Sequence, residues 1–310
     1  MKRIVTLSVA TILASALFSV GGGSTAPQRA SAASSYPLRV VSGDGNILIT
    51  SRPIRILSLS ASATQMLYAI GAGSQVIGVD KYSLYPTNAP RTKFSGYETS
   101  AEGYLRLKPD LVVLAFDTSH VVEQLKKLHI ATLLLPPAST VAQVNGQIRE
   151  LGIATGHSLT ASQEVASIAA NLNSVSAHVG TIAKGKTYFV ELDPTLYSAT
   201  SKTFIGALFN RFGMVNIADK AARASSGYPQ LNSEYLITAN PQFVFLADTS
   251  CCKQSPATFD SRAGYSTISA VKNHHVIAVD ESLVSEWGPH SLEEFIKIIA
   301  RVITAATTTS

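Results

Sequence analysis

Two stretches of this chain, 132 positions apart, share one pattern of residues. Ala101–Ala115 and Ser233–Ala247 each carry a glutamate at the second position, a proline near the middle and an apolar run that ends in Leu-Ala. A solenoid would show a shorter period repeated several times. A single long-range pair instead indicates two related lobes, and ligands commonly bind at the interface between such lobes.

The segment between the two copies is predicted to be helical almost throughout. From Thr140 to Lys184 apolar residues recur at helical spacing, no proline occurs, and Gly152 and Gly156 mark the breaks in the pattern. A helix here would be a stiff strut, unlike a Gly/Ser-rich linker. The sequence therefore predicts three parts: an N-terminal lobe at 33–156, a linking helix at 157–185 and a C-terminal lobe at 186–310.

Each lobe alternates short β-rich runs with helical segments. Ile56–Leu59 is typical of a strand, and the small hydroxyl residues that follow it are suited to capping a helix. That helix ends at the glycine-rich turn Gly71-Ala72-Gly73, and Val76–Val79 forms the next strand. This order predicts two α/β lobes with central, largely parallel sheets and a ligand cleft between the lobes.

The amino terminus predicts export. Lys2 and Arg3 precede Ile4–Val20, a run of 17 residues without charge, and Ala30-Ser31-Ala32 fits a small-x-small cleavage site. Residues 1–32 are therefore predicted to be a signal peptide, either cleaved or retained as an anchor. No cysteine lies near this segment. We expect a periplasmic or cell-surface protein that is not a lipoprotein.

The charge of the chain gives no sign of nucleic-acid binding. The formal net charge is +5. Lys2, Arg3 and Arg29 lie in the predicted signal peptide, and 22 basic and 20 acidic residues remain without them. No basic stripe is left that would follow a phosphate backbone.

The two cysteines and the seven histidines give no pattern typical of a metal site. Cys251 and Cys252 are adjacent, a spacing that matches no zinc motif, and the histidines are scattered along the chain. In an exported protein the cysteines form either a vicinal disulfide or a reduced or partner-bonded pair. We expect no bound metal and no resident cofactor.

The stretch Arg55–Pro86 resembles a known family. Its strand, Ser-Ala-Thr, Gly-Ala-Gly, Val-Ile-Gly-Val-Asp and Tyr-Ser-x-Tyr-Pro elements look like those of the solute-binding proteins of ABC importers for cobalamin, ferric siderophores and haem. The resemblance extends from about Pro37 to Val302. It implies an extracytoplasmic binding subunit that captures a siderophore-type iron chelate or a cobalamin-type corrinoid and performs no chemistry. It also implies a monomer that delivers a small-molecule metal chelate to an ABC permease and its ATPase.

Aromatic residues are the candidate ligand contacts. Six lie at or near the ends of predicted strands, the edge at which open α/β sheets bind ligands. Large rings suit a bulky chelate or macrocycle that presents an apolar face. By resemblance, Tyr82 or Tyr85 matches the family's loop tyrosine, while Tyr97 and Phe116 fall where the cobalamin binders place tryptophans. The six predicted contacts are Tyr82, Tyr85, Tyr97, Phe116, Tyr197 and Trp287.

Glu102 and Glu234 occupy the same position in the two copies of the repeat. A carboxylate in the first turn of a helix is favoured by the helix dipole, which explains each residue separately. The resemblance implies a further role, because the family uses surface glutamates to meet arginines of its permease. We therefore predict that Glu102 and Glu234 dock the protein on its permease.

Two other classes of function compete with transport. A secreted α/β hydrolase would need an activated nucleophile, but no G-x-S-x-G elbow surrounds Ser60, Ser62 or Thr64, and capping explains these hydroxyls. A ligand-sensing module without transport could use the same fold. A neighbouring permease and ATPase gene would distinguish transport from sensing.

Overall fold

The computed structural model describes residues 35–97, 101–221 and 224–308. The predicted signal peptide at residues 1–32 lies outside the described residues. The chain divides into residues 1–33 and a unit of residues 34–310, and the fold given below is that of the second unit.

The N-terminal lobe begins with a hairpin and continues as a four-stranded parallel sheet. The hairpin pairs β1 (Leu38–Ser42) with β2 (Gly45–Ile49) in antiparallel register. The strands of the sheet are β3 (Ile56–Leu59), β4 (Val76–Val79), β5 (Leu111–Leu114) and β6 (Ala131–Leu134). Their spatial order is β4-β3-β5-β6, with all pairs parallel. The predicted parallel sheet is confirmed.

Four helices accompany this sheet: α1 (Ala61–Ala69), α2 (Ala101–Leu105), α3 (Val121–Lys127) and α4 (Val141–Thr155). The side chain of Ser60 caps α1 by accepting a hydrogen bond from the backbone N–H of Ala63. Thr140 caps α4 in the same way, through the N–H of Gln143. Both hydroxyl residues stand where a strand or loop enters a helix, which is the position such residues favour.

A helix of 26 residues, α5 (Ser158–Ala183), follows α4. The predicted helical stretch is broken at Gly156, whose φ of 76° belongs to the left-handed region that ends a helix. The chain therefore turns there, and α4 and α5 pack against each other instead of forming one rod.

The C-terminal lobe contains a second parallel sheet. Its strands are β7 (Thr187–Glu191), β8 (Val215–Asn216), β9 (Phe243–Leu246) and β10 (Val276–Ala278). Their order is β10-β9-β7-β8. Counted from the β8 edge, this is the second, first, third and fourth strand of the lobe, which is also the order in the N-terminal sheet. The two copies of the repeat thus belong to lobes of the same strand topology.

The helices of this lobe are α6 (Phe204–Arg211), α7 (Ser233–Ala239), α8 (Thr249–Cys252), α9 (Pro256–Asp260), α10 (Ser269–Lys272), α11 (Glu281–Ser285) and α12 (Pro289–Thr308). The stretch from Asp248 to Ser266 shows no regular pattern in the sequence, yet it contains α8 and α9. The stretch from Asp280 to His290 likewise contains α11. These short helices escaped sequence analysis because one or two turns are too few to show an apolar period.

Both sheets are covered on two sides. Strands β3, β5 and β9 are buried at every position, as expected of parallel strands between helix layers. One apolar core joins the two lobes, since Met66 of α1, Ile168 of α5 and Phe295 of α12 belong to the same buried cluster. Because residues 34–310 pack as one unit, the lobe boundaries at residues 156 and 186 stay a prediction. Within the described ranges, no helix has the length and apolarity needed to cross a bilayer.

Candidate functional site

A cavity of about 230 Å³ lies at the carboxyl ends of β3, β4 and β5. Strands β3 and β5 are neighbours, and the chain continues from them in opposite directions along the sheet, from β3 to β4 and from β5 to β6. Open α/β sheets form a ligand crevice at such a point. The cavity is lined by Leu59, Ser60, Ala61, Ser62, Asp80, Tyr82, Gly96, Tyr97, Ala115, Phe116, Ser285, Glu286 and Trp287. The last three come from the C-terminal lobe, so the cavity lies between the lobes.

Three of the predicted aromatic contacts form one wall of this cavity. The rings of Tyr82 and Tyr97 meet edge to face with centroids 6.0 Å apart, and Tyr97 stacks on Phe116 at 5.2 Å. Tyr82 and Tyr97 are half-exposed, so the wall is open to solvent along one side. Burial, together with Asp80 and Tyr82 nearby, raises the pKa of Tyr97, which therefore stays a neutral phenol at physiological pH.

Trp287 also lines the cavity and is held by the N-terminal lobe. Its backbone N–H donates to Ser62 Oγ at 3.0 Å, and its indole Nε1–H donates to Gln147 Oε1 at 2.9 Å. The ring therefore has a fixed position on the cavity wall, although it lies 190 positions from Tyr97 in sequence.

Tyr85 and Tyr197 do not line this cavity. The ring of Tyr85 stacks on His290 at 3.6 Å and borders a separate hollow near Glu164 and Glu293. Tyr197 pairs with Gln230 in an isolated β-bridge of the C-terminal lobe. The structure thus brings four of the six predicted aromatic contacts together, and the two others gain no support from this cavity.

Two buried carboxylates also line the cavity, and sequence analysis missed both. Asp80 is 3% exposed and its Oδ1 accepts hydrogen bonds from the Ser83 backbone N–H and hydroxyl, at 2.9 and 2.6 Å. Burial raises the pKa of Asp80, and these hydrogen bonds oppose the rise. Its position directly after β4, at the carboxyl end of the strand, was the signal that could have identified it.

Glu286, the second carboxylate, is 9% exposed and lies beside Trp287. Burial raises the pKa of Glu286 to about 7, the negative charge of Asp80 adds to the rise, and hydrogen bonds from Gln65 and Ser291 oppose it. The cavity thus combines apolar rings with two acidic groups, one from each lobe.

Glu286 also takes part in a polar seam between the lobes, formed by Gln65, Glu286 and Ser291. Gln65 Nε2 donates to Glu286 Oε2 and, at 2.8 Å, to Ser291 Oγ. The Ser291 backbone N–H donates to Gln65 Oε1 at 3.0 Å. The seam joins α1 of the N-terminal lobe to the start of α12.

The carboxyl ends of the central strands in the C-terminal sheet carry a cluster of charged side chains. Arg262 donates to both oxygens of Glu191, at 2.7 and 2.5 Å, at the carboxyl end of β7. Asp248 follows β9 and is fully buried. Burial and the neighbouring Glu191 charge raise the pKa of Asp248 to about 7. This charged cluster lies at the strand ends that correspond to those of the N-terminal cavity.

Glu102 and Glu234 are both exposed and both lie in the first turn of a short helix, α2 and α7 respectively. Each helix leads into the third strand of its lobe. The two carboxylates therefore occupy equivalent surface positions, one on each lobe, and neither lines the cavity. Permease docking by this pair stays a prediction.

Cys251 and Cys252 are joined by a disulfide at the end of α8. The backbone N–H of Cys251 donates to Glu281 Oε2 at 3.1 Å, which ties this turn to α11. The pair lies outside the cavity lining.

The hydroxyls near the cavity have structural partners. Ser60 caps α1, Ser62 accepts the Trp287 N–H, and Thr64 hydrogen-bonds Ser58 and Ser83. In the described part of the chain, none of these three hydroxyls has a histidine partner. Nor do the described residues bring three or more His, Cys, Asp or Glu side chains together in a way that could hold a metal ion.

Comparisons with known proteins agree with this architecture. The sequence pattern of the Periplasmic binding protein family matches residues 56–283. The chain is 31% identical over 299 residues to YvrC of Bacillus subtilis (strain 168), an uncharacterized ABC transporter substrate-binding lipoprotein, covering 92% of each chain. The lipoprotein character of YvrC differs from the expectation for this chain, whose two cysteines are Cys251 and Cys252.

Two further proteins are similar to this chain, one in sequence and one in fold. A cobalamin-binding protein of Halobacterium salinarum (strain ATCC 29341 / DSM 671 / R1) is 28% identical over 263 residues, with 81% of this chain and 70% of the relative covered. The heme-binding protein HutB of Vibrio cholerae has a similar fold, with a TM-score of 0.68, 23% identity and coverage of 81% and 98%. Since the family pattern spans most of the chain, and YvrC is similar over nearly all of it, the chain belongs to the Periplasmic binding protein family.

Proposed function

We propose that this protein is the extracytoplasmic solute-binding subunit of an ABC importer, and that it captures a metal chelate in the cleft between its lobes. The observation that carries the proposal is the aromatic cavity lined by Tyr82, Tyr97, Phe116 and Trp287. The description of YvrC supports the transport role, and the cobalamin-binding and heme-binding proteins support a chelate as ligand.

The dimensions of the cleft favour a ligand that is only partly enclosed. Pockets for drug-sized ligands commonly measure about 300–1,000 Å³, so a cavity of about 230 Å³ encloses one edge of a macrocycle or a large chelate. The half-exposed rings of Tyr82 and Tyr97 then offer their faces to the remainder. Stacking on such rings provides contact area at low entropy cost.

The partners that follow from this role are an ABC permease and its ATPase, and the protein itself acts as a monomer without a resident cofactor. It catalyses no reaction. The exposed Glu102 and Glu234, placed equivalently on the two lobes, would meet basic residues of the permease. Charge complementarity of this kind favours a fast, salt-sensitive encounter.

The test is a binding titration of the purified protein with cyanocobalamin, haemin and ferrioxamine B, followed by Trp287 fluorescence and calorimetry. We expect at least one of them to bind and to quench the only tryptophan. Tyr97→Ala should weaken that binding about thirtyfold, as is typical of a central aromatic contact. Tyr197→Ala removes a partly exposed ring outside the cavity and should change the affinity little. Absence of binding by all three chelates, or equal losses in the two variants, would contradict the proposal.

A further inference from the structure

The charge on the walls of the cleft points to the kind of chelate that it accepts. We infer that Asp80 and Glu286 make the cleft select ligands that present hydrogen-bond donors or positive charge, and reject chelates that turn a carboxylate toward these walls. The inference rests on the proposed function and narrows it to a charge class of ligand.

Both carboxylates are fixed in place by the protein. Ser83 holds Asp80 Oδ1 through two hydrogen bonds, and Gln65 holds Glu286 Oε2. In the described part of the chain, Ser291 also donates to Glu286 Oε2, at 3.4 Å, and no hydrogen bond is made by Oε1. An oxygen without a protein partner on a cavity wall is an acceptor available to the ligand.

No cation on the cavity wall offsets these two groups. Among the described residues that line the cavity, none is lysine, arginine or histidine. Lys81 lies nearby, with its Nζ 5.2 Å from the centroid of the Tyr82 ring, but it is not part of the lining. A ligand carboxylate in the cavity would therefore lose its hydration beside two groups that carry like charge at pH 8, and such contacts are strongly unfavourable.

The start of α1 has the opposite tendency, since a helix N-terminus favours anions. Ser60 and Ser62 of this terminus line the cavity. However, the Ala63 N–H already donates to Ser60 Oγ and the Thr64 N–H to the Ser60 carbonyl oxygen, so these N–H groups of the first turn are engaged within the protein. The Glu286 carboxylate, bound to Gln65 of the same helix, already provides a negative group beside α1. A second anion from the ligand would gain little there.

The inference is tested with pairs of chelates that share one core and differ mainly in charge. Cyanocobalamin, whose periphery carries neutral amides, would be compared with its monocarboxylic acid, in which one amide is a carboxylate. Haemin would be compared with its dimethyl ester, and ferrioxamine B, which carries an ammonium group, with its N-succinyl derivative. Dissociation constants would be measured at pH 8, above the pKa of about 7 that burial gives Glu286.

For each core that binds, we expect the neutral or cationic form to bind at least about tenfold more tightly than the form with the free carboxylate. The double variant Asp80→Asn/Glu286→Gln keeps the shapes of the side chains and one acceptor oxygen in each, and removes both charges. In this variant the preference should fall to within about threefold. Glu123→Gln, which removes one charge from an exposed Glu123–Lys127 pair on α3, should keep the wild-type preference.

The outcomes distinguish this inference from the proposed function. If any core binds equally or more tightly in its carboxylate form, the inference of charge selection is overturned, while the proposal that the protein binds a chelate stands. A preference that persists unchanged in the double variant assigns selection to other residues and also overturns the inference. Failure of all three cores to bind in either form overturns both proposals. Should the double variant not fold, Glu286→Gln alone is expected to reduce the preference, and an unchanged preference in it counts against the inference.

Discussion

Gly288 is a sensitive test of the seam between the lobes, because its missing side chain leaves room for Gln65. A Cβ atom built on Gly288 would lie 2.3 Å from Gln65 Oε1 and 2.7 Å from Gln65 Cβ. Gln65 is 2% exposed and lies on the buried side of α1, so its amide has no solvent to move into. The substitution Gly288→Ala therefore has to displace the amide from the seam.

The cost can be worked out from the hydrogen bonds that the displaced amide would lose. Gln65 makes three of them: two donated to Glu286 and Ser291, and one accepted from the Ser291 backbone N–H. A buried hydrogen bond contributes about 1 kcal/mol net, and more when a partner is left unsatisfied. We expect Gly288→Ala to lower the free energy of unfolding by about 3 kcal/mol. A chain of 310 residues has an unfolding entropy of about 0.65 kcal/mol/K, so this corresponds to a fall in Tm of roughly 5 °C.

The assay is chemical denaturation and thermal unfolding followed by circular dichroism, with Gly146→Ala as the matched control. Gly146 lies in α4 and a Cβ atom there would meet no heavy atom within 4 Å. The same change of residue should therefore stabilise the protein by up to about 1 kcal/mol through helix propensity. The opposite signs of the two effects separate the steric clash from any general effect of replacing glycine.

A double-mutant cycle tests whether the clash acts through Gln65. In a Gln65→Gly background both the amide and the Cβ atom of residue 65 are absent, so the new methyl group has space and Gly288→Ala should cost no more than about 1 kcal/mol. If Gly288→Ala is as stable as the wild type, or if it costs the same in both backgrounds, the reasoning about the seam is refuted.

Two further predictions concern charge. Burial and Glu191 raise the pKa of Asp248 to about 7, above its unfolded value of about 4, so the wild type loses stability as pH rises between these values. Asp248→Asn should gain about 1–2 kcal/mol over the wild type at pH 8 and little at pH 4 in urea unfolding, and a difference independent of pH would refute the coupling. Replacing both Glu102 and Glu234 by alanine should abolish uptake, or raise its salt sensitivity, with an unchanged ligand dissociation constant. Normal transport by that variant would remove the docking role, and Glu123→Gln on α3 serves as the exposed control.

The α/β architecture could be predicted from the sequence because its signals are local or repeated. Parallel strands such as Leu111–Leu114 and Phe243–Leu246 are continuous apolar runs, and the constant offset between them relates the two lobes. Short elements gave no such signal. Strand β8 has two residues, and its pairing with β7 is decided by tertiary contact rather than by β propensity.

The site could be predicted only in part, because the sequence shows which strand end a residue follows but not where its side chain points. Tyr82 and Tyr85 follow the same strand three positions apart, yet one lines the cavity and the other stacks on His290. Asp80 and Glu286 were missed for a different reason. An isolated acidic residue in a sequence is usually a solvated surface group, and its burial on a cavity wall depends on the second lobe.

Glu286 connects ligand binding to the junction of the lobes. Its Oε2 belongs to the seam with Gln65 and Ser291, while its side chain also lines the cavity beside Trp287. Trp287 is itself bound to Ser62 of α1. If the proposed ligand contacts these residues and changes the free energy of the seam, then by linkage the seam alters ligand affinity by the same amount. Each lobe carries one glutamate of the proposed docking pair, so the relative position of Glu102 and Glu234 depends on the same junction that the proposed ligand would contact.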